Sequence, residues 1–121
     1  MAPKLKQTSV TDEEHFKALI YNAEDPRLFV VDVYATAWGP CKIMLPAMAS
    51  LLPLVEDFEE RCELLSVDAS LVPELAKYNG TSCPKFLFYK EGVLVKEITG
   101  ADAPAIAKAI IALLPDAPHT I

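Results

Sequence analysis

Val33-Tyr34-Ala35-Thr36-Ala37-Trp38-Gly39-Pro40-Cys41-Lys42 is the stretch on which the reading of this chain turns. On its N-terminal side lies Phe29-Val30-Val31-Asp32-Val33, an apolar run broken by one carboxylate. Such runs suit a strand covered on both faces. Asp32 inside it has to find a partner or shift its pKa, because an isolated buried carboxylate is costly. On the C-terminal side, Lys42-Ile43-Met44-Leu45-Pro46 opens a helix-forming segment with an internal proline. The stretch therefore predicts a strand, a Gly-Pro turn carrying one tryptophan and one cysteine, and a long helix.

Working outward, residues 1–10 form a lead in which Leu5 and Val10 suit an edge strand. Thr11-Asp12-Glu13-Glu14 reads as a capping box with Thr11 as N-cap, ahead of a helix carrying Phe16, Leu19 and Ile20 at helical spacing. Asp25-Pro26 breaks the chain before the apolar strand. The long helix is expected from 39 to about 60, kinked at Pro46 and kinked again or divided at Pro53, with Ile43, Ala47, Leu51, Leu54 and Phe58 on its buried face. Cys62 to Val67 predicts the next strand, and Ser70 is expected to cap a short helix over 71–78 that ends at Asn79-Gly80. Ser82-Cys83-Pro84 leads into Phe86-Leu87-Phe88-Tyr89, and Lys90-Glu91-Gly92 joins this strand to Val93–Thr99 as a hairpin. Asp102-Ala103-Pro104 starts a closing helix with Ile106, Ile110, Leu113 and Leu114 as its buried stripe. The order β-α-β-α-β-α-β-β-α predicts an α/β fold, a mixed sheet with helices on both faces, in one domain over 11–114 with a tail at 115–121.

Composition narrows the function. The chain of 121 residues is 52% hydrophobic, as expected of a globular domain. Its net charge of −6 argues against binding a phosphate backbone, so no nucleic-acid partner is expected. No apolar stretch reaches the roughly 20 residues of a bilayer span, and no apolar segment behind the N-terminal lysines suggests a secretory signal. Three cysteines, an odd number, favour free thiols in a reducing compartment, cytoplasmic or other. His15 and His119 stand alone, and no cysteine or histidine spacing suits zinc. No metal and no cofactor is expected.

In order, Asp32, Gly39-Pro40-Cys41-Lys42, Pro46, Ser82-Cys83-Pro84, the Phe86–Tyr89 strand with Gly92, and Gly100 resemble the thioredoxin family. The likeness implies the thioredoxin fold. It also implies that Asp32 is the family's buried acid, that Cys41 stands at the resolving cysteine and that Pro84 is the cis proline facing the redox turn. The departure lies at the attacking cysteine, whose position holds Trp38, while the preceding tryptophan is Ala37. Exchange begins when a thiolate attacks a disulfide sulfur. An indole cannot do this, so the resemblance implies a thioredoxin fold with a degenerate site.

Two functions from different classes follow. The first is a redox-inactive binding or structural subunit of a larger assembly, with protein partners and an interface at Trp38, Gly39, Pro40, Cys83 and Pro84, bordered by Tyr34 and Ala37. The resemblance supplies a precedent in accessory subunits of axonemal dyneins, hence a ciliary location by family association. The second is a divergent oxidoreductase or redox sensor in which Cys41 and Cys83 form a pair, or Cys83 reacts alone, with Asp32 as proton carrier. Cys83 also reads as a small packing residue, and Cys62 reads as packing only. Trp38 reads either as an exposed anchor of the kind found in interface hot spots or as a plug over the old groove.

Overall fold

The computed structural model describes residues 6–22, 24–39, 46, 55, 57–80 and 84–115. Five strands form one mixed sheet: β1 (Gln7–Ser9), β2 (Leu28–Tyr34), β3 (Cys62–Asp68), β4 (Lys85–Lys90) and β5 (Val93–Thr99), in the spatial order β1-β3-β2-β4-β5. β3 pairs in parallel with β1 and β2, while β4 runs antiparallel to β2 and to β5. The expected α/β sheet is therefore present, with β1 as the short edge foreseen near Val10.

Alternation along β2 builds two cores. Phe29, Val31 and Val33 face one side, where they join Leu65, Val67, Leu87, Phe16 and Ile20, the last two from α1 (Glu13–Ile20). Leu28 and Val30 face the other side and meet Cys62, Leu64, Phe86 and Phe88 beneath Ile106 and Ile110 of the closing helix. That helix runs Ala103–Leu113 and is capped as expected by Asp102, whose carboxylate accepts from the Ala105 amide at 3.1 Å. Asp32 lies on this second face of the sheet, 1% exposed, with Ser66 and Phe86 as its register partners.

The hairpin between β4 and β5 matches its sequence. Glu91 and Gly92 take φ of 53° and 78°, the two positive values that a two-residue type I′ turn needs. Gly92 also abuts Tyr21, since a Cβ added there would lie 3.5 Å from its ring.

Three expectations shift. The N-cap of α1 is Asp12, not Thr11: its carboxylate accepts from the His15 amide at 2.8 Å, and His15 Nδ1 accepts from the Thr11 amide at 3.0 Å. His15 thus reaches back to the residue before the N-cap, not to the N-cap amide as a capping box would, and the carboxylate of Asp12 takes the capping role in place of the threonine hydroxyl. Asp12→Ala is expected to lower stability by about 1 kcal/mol, read as a lower urea midpoint at unchanged slope. Second, the helix expected to reach about 60 is interrupted. Val55 is non-helical, Asp57 takes φ 54° and ψ 38°, and a separate turn, α2, covers Phe58–Arg61. A left-handed residue cannot continue a right-handed helix. Gly39 is also non-helical, while Pro46 is helical as expected. Third, 71–78 is not an α-helix capped by Ser70. Two 3₁₀ segments, Ala69–Leu71 and Pro73–Tyr78, take its place, and the side-chain cap of the first is Asp68. Pro73 separates the two segments by removing a backbone donor. Leu5, Pro53, residues 47–54 of the expected buried face and the tail beyond 115 lie outside the described residues.

Candidate functional site

The site stands at the C-terminal end of β2, beside the C-terminal end of parallel β3. Tyr34 and Asp68 face each other there in register. The carboxyl ends of parallel strands are where open α/β sheets place their binding loops. Beyond Tyr34 the chain turns at once: the amides of Trp38 and Gly39 both donate to the Ala35 carbonyl, at 2.9 and 3.2 Å. Gly39 takes φ 71°, a conformation suited to glycine. The tight turn leaves Thr36, Ala37 and Trp38 in solvent, and the Trp38 side chain is 69% exposed. The side chain is therefore exposed and is not folded over the turn as the plug reading requires.

Side chains from other elements pin this loop. The Thr36 hydroxyl donates to Asp68 Oδ1 at 2.7 Å, and the Thr36 amide donates to Asn79 Oδ1 at 3.1 Å. Asp68 Oδ1 also accepts from the amide and hydroxyl of Ser70, at 2.9 and 2.8 Å. Partial burial pushes the Asp68 carboxyl up, but these hydrogen bonds outweigh it and hold the group below its ordinary value. Thr36, Asp68 and Asn79 were not singled out as a group by the sequence. Asn79 was marked only as part of the Asn79-Gly80 helix end, and the Asp68-Ala69-Ser70 spacing, suited to an Asx turn, is the signal that points to Asp68.

This arrangement has a pH consequence. A carboxyl lowered in the folded state contributes stability that is fully present above its unfolded value of about 3.9 and is lost as pH falls through the folded value. Asp25, lowered chiefly by its hydrogen bonds to Arg27, acts with the same sign. Asp68→Asn is expected to be less stable than wild type at neutral pH, with the gap closing below about pH 4. Urea midpoints measured across that range check this.

Tyr34 sits half-buried under the loop, and its phenol is raised first by burial and then by the charges of Asp68 and Asp32. Pro84 lies half-buried before β4, its carbonyl accepting from the Gly100 amide at 2.8 Å. Pro40, Cys41 and Cys83, and with Cys83 the peptide bond to Pro84, lie outside the described residues. Cys62 is buried on the far strand face, as its packing role requires, and burial pushes its thiol up to about 12. Among the described residues, no group of three or more His, Cys, Asp or Glu is placed to hold a metal ion.

The family pattern of Thioredoxin matches residues 7–112. The chain belongs to the thioredoxin family. Thioredoxin Asp f 29 of Aspergillus fumigatus is 34% identical over 102 residues, covering 84% of this chain and 89% of that protein. The mitochondrial Thioredoxin-3 of Saccharomyces cerevisiae is 33% identical over 104 residues, covering 85% and 76%. The crystal structure of Schistosoma mansoni thioredoxin superposes with a TM-score of 0.67 at 28% identity, covering 89% of this chain and 95% of that one. Thioredoxin-family proteins are typically redox oxidoreductases. In this member, Trp38 stands in solvent at the turn.

Among the described residues no helix is long and apolar enough to cross a membrane.

Proposed function

We propose that this thioredoxin-family chain is a protein-binding subunit of a larger assembly that engages its partner through the loop carrying Trp38 and does not exchange disulfides. The observation that carries this reading is the exposed indole where the family's chemistry requires a thiolate. A tryptophan buries roughly 150–250 Å² when covered. Central aromatic anchors of this kind cost about 2 kcal/mol or more of binding when truncated, about thirtyfold in affinity. The hydrogen bonds of Thr36 to Asp68 and Asn79 hold the loop before a partner arrives, which lowers the ordering cost of association. Gly39 and Pro84 border the anchor in this proposal, with Pro40 and Cys83 completing the contact. Three cysteines support a reducing compartment.

The test combines two readouts on the full chain. Insulin reduction by dithiothreitol is expected to run at the uncatalysed rate with wild type. A stoichiometric partner co-purifying from source cells is expected to be lost from Trp38→Ala. Catalysis by the wild type overturns the proposal, as does a partner indifferent to Trp38→Ala.

A second reading, a divergent oxidoreductase using Cys41 and Cys83, draws support from the relatives, which are named as thioredoxins. Here Asp32 would carry protons beneath the turn. Its mark is wild-type turnover abolished by Cys83→Ser or Cys41→Ser.

A further inference from the structure

β5 ends the sheet, and it is the long edge, seven residues against three in β1. An edge strand offers a row of backbone donors and acceptors to a further strand. The first three residues of β5 are apolar and open, with Val93, Leu94 and Val95 at 60%, 42% and 43% exposure. Beside it, between the strand and the closing helix, α3 (Ala103–Leu113), runs a groove of about 600 Å³. Val95 and Ile98 line it from the strand, and Ala109 and Leu113 from the helix.

Charge decides what suits this groove. Its charged lining residues are Lys96 and Lys108, and neither makes an ion pair among the described residues. Glu97, next along the strand, is engaged outside the groove lining by Lys85 at 3.5 Å. A chain of net charge −6 therefore presents a locally cationic, apolar-floored groove along an open strand edge.

We propose that this groove takes an extended segment of another protein, added to β5 as a sixth strand, with apolar side chains over Ile98 and Ala109 and a carboxylate between Lys96 and Lys108. Main-chain pairing supplies affinity in this mode, and alternate side chains supply selectivity. A second copy of the chain fits poorly. In the fully overlapped antiparallel register of two β5 strands, Lys96 opposes Lys96, and like charges directly opposite are destabilising. The groove contains none of the residues around Trp38, so binding there is independent of that face.

The experiment titrates the full ¹⁵N-labelled chain with a capped peptide that alternates threonine with isoleucine, glutamate and isoleucine. A counterpart carries lysine in place of the glutamate. The expected result is amide shifts confined to β5 and α3, and slowed exchange of β5 amides. Binding is expected to be about tenfold weaker for the lysine peptide, and about tenfold weaker for the glutamate peptide with the Lys96→Glu/Lys108→Glu variant. Both lysines are exposed, so the variant is expected to keep the wild-type circular dichroism. Absence of shifts in β5 at saturating peptide overturns the proposal. So does equal binding of both peptides, or a peptide-free dimer in sedimentation that protects the β5 amides.

Discussion

Trp38→Cys is expected to raise insulin reduction on the order of a hundredfold above wild type, because it restores the nucleophile while touching nothing the fold depends on. The indole it removes is 69% exposed and contributes no core packing. The turn is held by the Trp38 and Gly39 amides on the Ala35 carbonyl, and these bonds survive any side chain at position 38. The sequence that follows, Gly39-Pro40-Cys41-Lys42, is part of the pattern on which the resemblance to the family rests. A thiol at position 38 would stand where the indole now stands, open to water and to a disulfide substrate. Attack by its thiolate forms a mixed disulfide and releases one substrate thiolate. Cys41 then displaces the second, leaving a disulfide between positions 38 and 41 that dithiothreitol reduces. Turnover should disappear again in Trp38→Cys/Cys41→Ser, which retains the attacker and lacks the resolver. A silent Trp38→Cys with native circular dichroism would mean that the lesion extends beyond one position, Ala37 being the first place to look.

Phe88→Ala carries the largest expected loss of stability, about 3–5 kcal/mol. Phe88 is fully buried in β4, opposite Val30 in β2, within the cluster that α3 covers through Ile106 and Ile110. The sheet on one side and the helix on the other leave little room for collapse, so the cavity persists. A domain of this size has about 5–15 kcal/mol in total, and the variant should approach the folding threshold. Urea unfolding followed by far-ultraviolet circular dichroism is the measurement, with the midpoint falling and the slope held. A loss below about 1 kcal/mol would show that the layer between sheet and helix repacks.

The elements most legible in the sequence were those whose local chemistry and tertiary role agree. Leu28 to Tyr34 is apolar because it pairs with strands on both sides and is covered on both faces. Glu91-Gly92 is a turn by backbone conformation alone. Legibility fell where two local solutions compete. Thr11 and Asp12 both qualify as caps; Asp12 takes the role, and the Thr11 amide bonds the His15 ring instead. The 71–78 segment carries helical residues, but Pro73 and the Asp68 cap resolve it into 3₁₀ turns. The break at Asp57 had no specific signal: aspartate enters the left-handed region more readily than most residues, but only at a small fraction of its positions. At the site, the resemblance alone implied Trp38 at the attacking cysteine's position. The direction of Trp38 was not legible, because it depends on a turn tied through Thr36 to side chains 32 and 43 positions away.

The position of Trp38 also makes the protein its own optical reporter. It is the chain's only tryptophan, and it already faces water in the native state. Its emission should therefore lie near the wavelength of a hydrated indole and move little when urea unfolds the chain, even as circular dichroism records the transition. A ligand that covers the loop should shift the same emission to the blue and shield it from a soluble quencher. A signal blind to folding and responsive to occupancy allows binding at this face to be titrated without any label.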